Sequence, residues 1–192
     1  MLDDHGRKIR HFRIPSRIGP DNPHPPSWLR ISRRRGHLLA RLSAIAENFG
    51  IALFVTESDE VGGGFADYSI HSITLARAAA THRLDNALLS VFFHELGHFV
   101  LHRLGRHLPA PPRRGVRTPA QLEAALRLAL RNERNADRMG RRLMETQFPT
   151  RRGAFIAGYQ TRADVEWLRE KLRLYFRIGR RISKRTARKR TP

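Results

Sequence analysis

Cysteine is absent from the 192 residues. Its absence excludes disulfides and thiolate ligation, so any metal centre here must be built from histidine and carboxylate. Lysine is scarce, occurring at Lys8, Lys171, Lys184 and Lys189. The net charge of +20 is therefore carried almost wholly by arginine. Long apolar runs are missing as well. The most apolar stretch, Ala87 to Leu101, is broken by His94, Glu95 and His98 and is too short to cross a bilayer. No apolar segment follows Asp3, Asp4, Arg7, Lys8 and Arg10, so no secretory signal is legible. These absences together predict a cytoplasmic protein with no membrane partner. Aromatic residues make up 8% of the chain, and neither an aromatic platform nor a recognition-helix motif for nucleic acid can be read.

What is present divides into three stretches. Residues 1–27 hold Pro15, Pro20, Pro23, Pro25 and Pro26 among charges and read as a flexible N-terminal arm. Residues 28–176 carry the periodic segments of one domain. Residues 177–192 contain eight basic residues and no acidic one, and read as a basic C-terminal tail.

Within the domain, Ser27 is the expected cap of a helix over residues 28–49, with Leu38, Leu39, Leu42, Ile45, Ala46 and Phe49 on one face. Ile51 to Thr56, Phe65 to Tyr68 and Ile70 to Leu75 read as three short strands of an antiparallel sheet. Leu84 to Arg103 is a helix with Leu88, Val91, Phe92, Leu96, Phe99 and Val100 inward. Gly97 costs that helix roughly 1 kcal/mol against Ala, which is easier to explain by close approach of another element than by helix stability. A proline- and arginine-rich loop follows. Thr118 then caps a long helix with Pro119 at its first position, and a further helix covers about residues 162–176.

The chemistry lies in residues 94–102, His-Glu-Leu-Gly-His-Phe-Val-Leu-His. This contains H-E-x-x-H. Positions four apart on a helix stand one above the other, so His94 and His98 can present two imidazoles to one ion. Glu95 is placed to hold and deprotonate the attacking water. Glu133, on the next long helix, is the expected third ligand, and Asp137 four residues on would accept the second ring N–H of a zinc histidine. Glu133 and Asp137 could instead pair with Arg134, Arg138 or Arg141 on a solvated face. His107 is the other third-ligand candidate. His102, one turn past His98, and Tyr159, a candidate oxyanion donor, complete the set.

H-E-L-G-H-F-V-L-H followed about thirty residues later by Glu133-Arg-Asn-Ala-Asp137 resembles the ImmA/IrrE family of metallopeptidases. The resemblance covers roughly residues 30–145. It implies an α+β, zincin-like fold, mostly helical, with the three-stranded antiparallel sheet packed on the H-E-x-x-H helix. It implies a divalent metal, Zn2+ or another such as Mn2+. It also implies a protein substrate of the helix-turn-helix repressor kind in a phage, mobile-element or stress-response system.

The expected function is thus zinc-dependent peptide hydrolysis. The alternative is a DNA-binding or protein-interaction regulator on the same scaffold, its metal structural or regulatory. In that case the basic loop and Arg180, Arg181, Lys184, Arg185, Arg188, Lys189 and Arg190 of the tail would contact phosphates.

Overall fold

The computed structural model describes residues 9–17, 24–58, 63–108, 118–158 and 161–188, the last twelve of these by backbone alone. The chain is α+β. Its order is β1 (His11–Arg13), α1 (Arg33–Asn48), β2 (Ala52–Thr56), β3 (Gly64–Asp67), β4 (Ser72–Ala76), α2 (Arg77–Ala80), α3 (Asp85–Arg103), α4 (Pro119–Gln147), a 3-10 turn at Pro149–Arg151, and α5 (Arg162–Arg188).

The sheet has four strands in the order β1-β2-β4-β3, and it is mixed. This corrects the expectation of three antiparallel strands. β2 and β4 run parallel, with Leu53 opposite Ile73 and Val55 opposite Leu75. β3 turns back onto the outer edge of β4 instead of inserting between the two. The reason is burial: all five residues of β4 are buried, so it needs a partner on each side, whereas every residue of β3 is half-exposed, as suits an edge. β4 starts at Ser72, two residues later than the alternation from Ile70 predicts. Ile70 is exposed, and His71 has φ of 50°, which turns the chain ahead of the strand.

The fourth strand lies in the stretch read as an arm. Phe12 packs on the core, Ile14 is buried, Arg10 pairs with Glu57, and the Ser43 hydroxyl donates to the Ile14 carbonyl at 2.7 Å. Two apolar residues in period-two alternation sufficed to add an edge strand, too weak a pattern to read among five prolines. The cap of α1 is Ser32, whose side chain accepts from the Arg35 amide, and not Ser27. At the other end α5 continues through residue 188, so the basic stretch 177–188 is helical backbone continuous with the domain.

α3 is central. Leu88, Leu89, Phe92, Phe93, Leu96 and Phe99 are all buried because the sheet covers one of its faces and α4 another. A one-sided stripe therefore described it incompletely: Leu89 and Phe93 belong to the core, while Val91 and Val100 are half-buried. Asp85 in its first turn pairs with Arg34, Arg35 and Arg151, and His102 and Arg103 lie in its last turn, both favourable to the helix dipole. α4 begins with the expected Thr118 cap and Pro119, completed by the Thr118 amide donating to the Gln121 side-chain oxygen.

Candidate metal centre

α3 and α4 cross where each carries a glycine. A Cβ added to Gly97 would lie 2.4 Å from the Ala136 carbonyl oxygen, and one added to Gly140 would lie 2.4 Å from that of Phe93. The two backbones thus touch at the level of His94, His98, Glu133 and Asp137. Gly97 is explained as the sequence suggested. Gly140 was not singled out, although a helix-weakening residue three positions after Asp137 was a readable signal.

This contact brings three donor atoms together. His94 Nε2 and Glu133 Oε2 are 3.0 Å apart, His98 Nε2 and Glu133 Oε2 are 3.2 Å apart, and the two Nε2 atoms are 3.1 Å apart. These form the one cluster among the described residues that could hold a metal ion. The edges of a tetrahedron with ligands at about 2.0–2.1 Å are about 3.3 Å, close to this triangle. The donor chemistry fits as well: two imidazole nitrogens and a carboxylate oxygen at this separation need a shared proton or a cation between them. His94 has its outer nitrogen engaged, with Nδ1 2.8 Å from Asp137 Oδ1, which leaves the Nε2 lone pair for the centre. His98 Nδ1 is buried and has no hydrogen-bond partner among the described residues.

The electrostatics favour a positive charge. Burial lowers the His94 pKa, but hydrogen bonds to Asp137 and Glu133 outweigh it and bring the value up to about 10. Burial raises Glu133, yet its hydrogen bonds with His94 and His98 hold it at about 2. Burial pushes the Glu95 carboxyl up, partly opposed by His94 and His98. Zinc binding at pH 7 is therefore expected to release about one proton, the one His94 holds. Calorimetry in buffers of different ionisation enthalpy would read it, and the release should fade above pH 10. Without added metal, the His94 contribution to stability is complete below its ordinary 6.5 and lost as pH rises through about 10. The Glu133 contribution is present above its ordinary 4.5 and lost as pH falls through about 2.

Glu95 is buried beside the cluster and accepts a hydrogen bond from the Ala66 amide of β3. The Ala76 amide donates to the Gly63 carbonyl, so by antiparallel alternation residues 65 and 67 face β4, and the amides of 64 and 66 face the free edge. Gly64 allows β3 this close, since a Cβ there would lie 3.1 Å from Val91 Cγ1 and 3.3 Å from Glu95 Cγ. The cluster and Glu95 line a cleft of about 390 Å3 shared with Phe65, Val91, Ile156 and Trp167.

Asp137 does a second job. Its Oδ2 accepts from the Gly158 amide at 3.1 Å, fixing the segment after α4 to the site. Asp137→Asn keeps the shape and removes the charge, and is expected to lower zinc affinity roughly 10–100-fold by competition with a chromophoric chelator.

The remaining candidates fall elsewhere. His102 is exposed and stacks on Tyr68 at 4.2 Å between ring centroids, outside the donor cluster. His107 packs against Tyr68 and against the His98 ring, 5.5 Å between centroids, and Asn132 holds the adjacent Leu108 backbone by two hydrogen bonds. Glu133, and not His107, completes the cluster. Burial and the charges of Glu95 and Glu133 push the Tyr68 hydroxyl up to about 12. Tyr159, Lys189 and Arg190 lie outside the described residues, as does most of the basic loop, while Arg180, Arg181, Lys184, Arg185 and Arg188 lie on the helical backbone of α5. Ile156, Gly158 and Trp167 were not read as site residues, because they come from a turn-rich passage and a helix with no spacing relation to the motif.

Comparison with protein-family models, with curated proteins and with solved structures finds no match to this chain.

Proposed function

We propose that this protein is a metal-dependent hydrolase that cleaves peptide bonds, a zincin-like metallopeptidase. The observation that carries the reading is the convergence of His94 Nε2, His98 Nε2 and Glu133 Oε2 within 3.0–3.2 Å of one another, beside a buried Glu95 that is not one of them. A zinc ion at this cluster would act as a Lewis acid, polarising the scissile carbonyl and making water available as a nucleophile near neutral pH. Two histidines and one carboxylate are a donor set of the kind catalytic zinc takes, and such a set leaves a position open.

The chain's own residues do the rest. Asp137 holds His94 in the tautomer that frees Nε2 for the ion. Glu95 takes the proton from the attacking water and delivers it to the departing amine nitrogen. The raised pKa of its buried carboxyl suits a group that must hold that proton in transit. The outer edge of β3, apart from the Ala66 amide that Glu95 holds, offers backbone groups to an extended substrate segment, which would be laid across the cleft by strand addition. The resemblance in the motifs supports a regulatory, repressor-type protein as substrate and Zn2+ as the metal, with Mn2+ as the alternative.

The experiment is cleavage of an unfolded protein such as reduced, alkylated casein by the purified protein with zinc, after chelation, and after zinc is restored. Zinc-dependent cleavage, lost in the chelated sample and regained, is the expected result. The rival reading is a DNA-contacting regulator. Residues 177, 180, 181, 184, 185 and 188 are spaced by threes and fours along α5, so six basic positions share one helical face. On that reading zinc binds at the same cluster and no cleavage appears.

A further inference from the structure

Two large apolar side chains stand exposed at the mouth of the cleft, Ile156 at 55% and Trp167 at 45%. The other strongly exposed apolar residues, such as Ile70, Leu84, Leu104 and Leu174, do not line it. Both present apolar surface to the same cavity, and the Trp167 ring also lies under the Lys171 ammonium, 5.3 Å from the ring centroid.

The wall they form is built into the site. The Ile156 amide donates to the Ser90 hydroxyl at 2.9 Å, and Ser90 donates in turn to the Asn86 carbonyl of α3 at 2.6 Å. Two residues on, the Gly158 amide donates to Asp137, the carboxylate that orients His94. Ile156 is thus pinned on one side to the helix bearing the histidines and on the other to the helix bearing Glu133. Trp167 comes from α5, which is seated on α4 by Leu172 and Phe176 against Leu122 and Ala125, and by the Arg169–Glu123 ion pair. Val91 of α3 and Phe65 of β3 line the same cleft. Beyond the metal cluster, Glu95 and Asp137, no charged residue lines the cleft among the described residues.

We propose that Ile156 and Trp167, together with Val91, form a specificity pocket that takes one large apolar side chain of an extended peptide segment lying along β3. The peptide's presence rests on the hydrolase reading, but the pocket is a claim about binding. The geometry favours this occupant. The cleft is about 390 Å3, near the lower end of the roughly 300–1,000 Å3 of ligand pockets, and suits a few residues rather than a folded surface. An extended chain paired with β3 points alternate side chains to opposite sides. One side chain would therefore enter the wall next to the metal cluster while its two neighbours point away. Selectivity should be strong at a single position and weak at those flanking it. A protein substrate must also present this segment unfolded or in a loop, since only an extended strand fits against a four-residue edge.

The test uses zinc-loaded full-length protein carrying Glu95→Gln, so that peptides bind without being cleaved. Fluorescein-labelled peptides of the form Ser-Gly-Ser-X-Ser-Gly-Ser, with X as Leu, Phe, Ala or Asp, are titrated by anisotropy. Leu and Phe are expected to bind at least about tenfold more tightly than Ala, with Asp weakest. Adding Trp167→Ala or Ile156→Ala should collapse the Leu-to-Ala ratio to within about threefold, while zinc content and circular dichroism stay as in the parent. An unchanged ratio in both variants overturns the pocket, as does absence of binding by every peptide. Self-association that Trp167→Ala abolishes would assign the wall to a second copy of the chain, and also overturns it. The hydrolase reading fails separately: selective binding in this assay, with no zinc-dependent cleavage by the unmutated protein, leaves the pocket standing and removes the reaction.

Discussion

Glu95→Gln is expected to bind zinc as the unmutated protein does and to lose peptide cleavage by about 10²–10⁴-fold, the usual contribution of a positioned general base. The substitution isolates one property. Glu95 is outside the cluster of His94, His98 and Glu133, so the metal donors are untouched. A glutamine occupies the same volume in the buried site and keeps an oxygen to accept the Ala66 amide, so β3 stays in place. What disappears is an oxygen that can take a proton from water and return it to an amine. Zinc content and turnover measured on one preparation decide the matter. Equal cleavage would sink the proton-transfer role. Loss of zinc would mean that Glu95 is a ligand and that the division of labour proposed for the site is wrong.

Gly140→Ala is expected to unfold the protein more easily and to empty the site, although alanine is the better helix former by about 1 kcal/mol. The added methyl would sit 2.4 Å from the Phe93 carbonyl oxygen, 2.7 Å from its carbon and 3.0 Å from the His94 amide nitrogen. All three are backbone atoms of α3, so no side chain can swing away, and the helices must part by about 1 Å to reach ordinary contact. Overpacking of this kind costs about 1–3 kcal/mol or more, enough to reverse the sign of the propensity gain. For a domain of this size a net loss of about 2 kcal/mol lowers Tm by roughly 4–8 °C. The consequence for chemistry is larger. His94 and Glu133 sit on opposite sides of this crossing with 3.0 Å between donor atoms, and a shift of 1 Å there spoils the ligand triangle. Thermal melting by circular dichroism and zinc affinity by chelator competition should fall together. A melting temperature that rises would show that the helices do not touch as described.

These two positions also mark the limit of what could be read directly. His94, Glu95 and His98 are neighbours along one helix, and a periodicity of 3.6 residues places them on one side without any tertiary information. Glu133 and Asp137 share one side of a second helix by the same logic, but spacing alone left Glu133 and His107 both open as the third donor. The Thr118 cap, the Pro119 start and the break at Gly50, where φ is 65°, are equally local, because capping and turn chemistry depend on a few adjacent residues.

Long-range pairing is a different matter. Phe12 and Ile14 join the sheet because Leu53, Val55 and Ser43 lie beside them in space, some thirty to forty-five residues along the chain. Nothing within residues 1–27 announces it. The parallel pairing of β2 with β4 depends on which edge of β4 the short β3 takes, and that follows from burial on both sides of β4. The same holds for the cleft wall. Ile156 and Trp167 acquire meaning only because Ser90 and Asp137 tie one segment to α3 and α4, and Leu172 and Phe176 seat α5 on α4.

The chain by itself determined that His94, Glu95 and His98 lie together on one helix, since helical spacing is a property of adjacent residues. Tertiary structure alone decided that Glu133, rather than His107, meets the two histidines, because that choice is made by the glycine-to-glycine contact of α3 and α4. It likewise decided what surrounds the cluster, since packing between distant segments leaves no periodic trace in either segment.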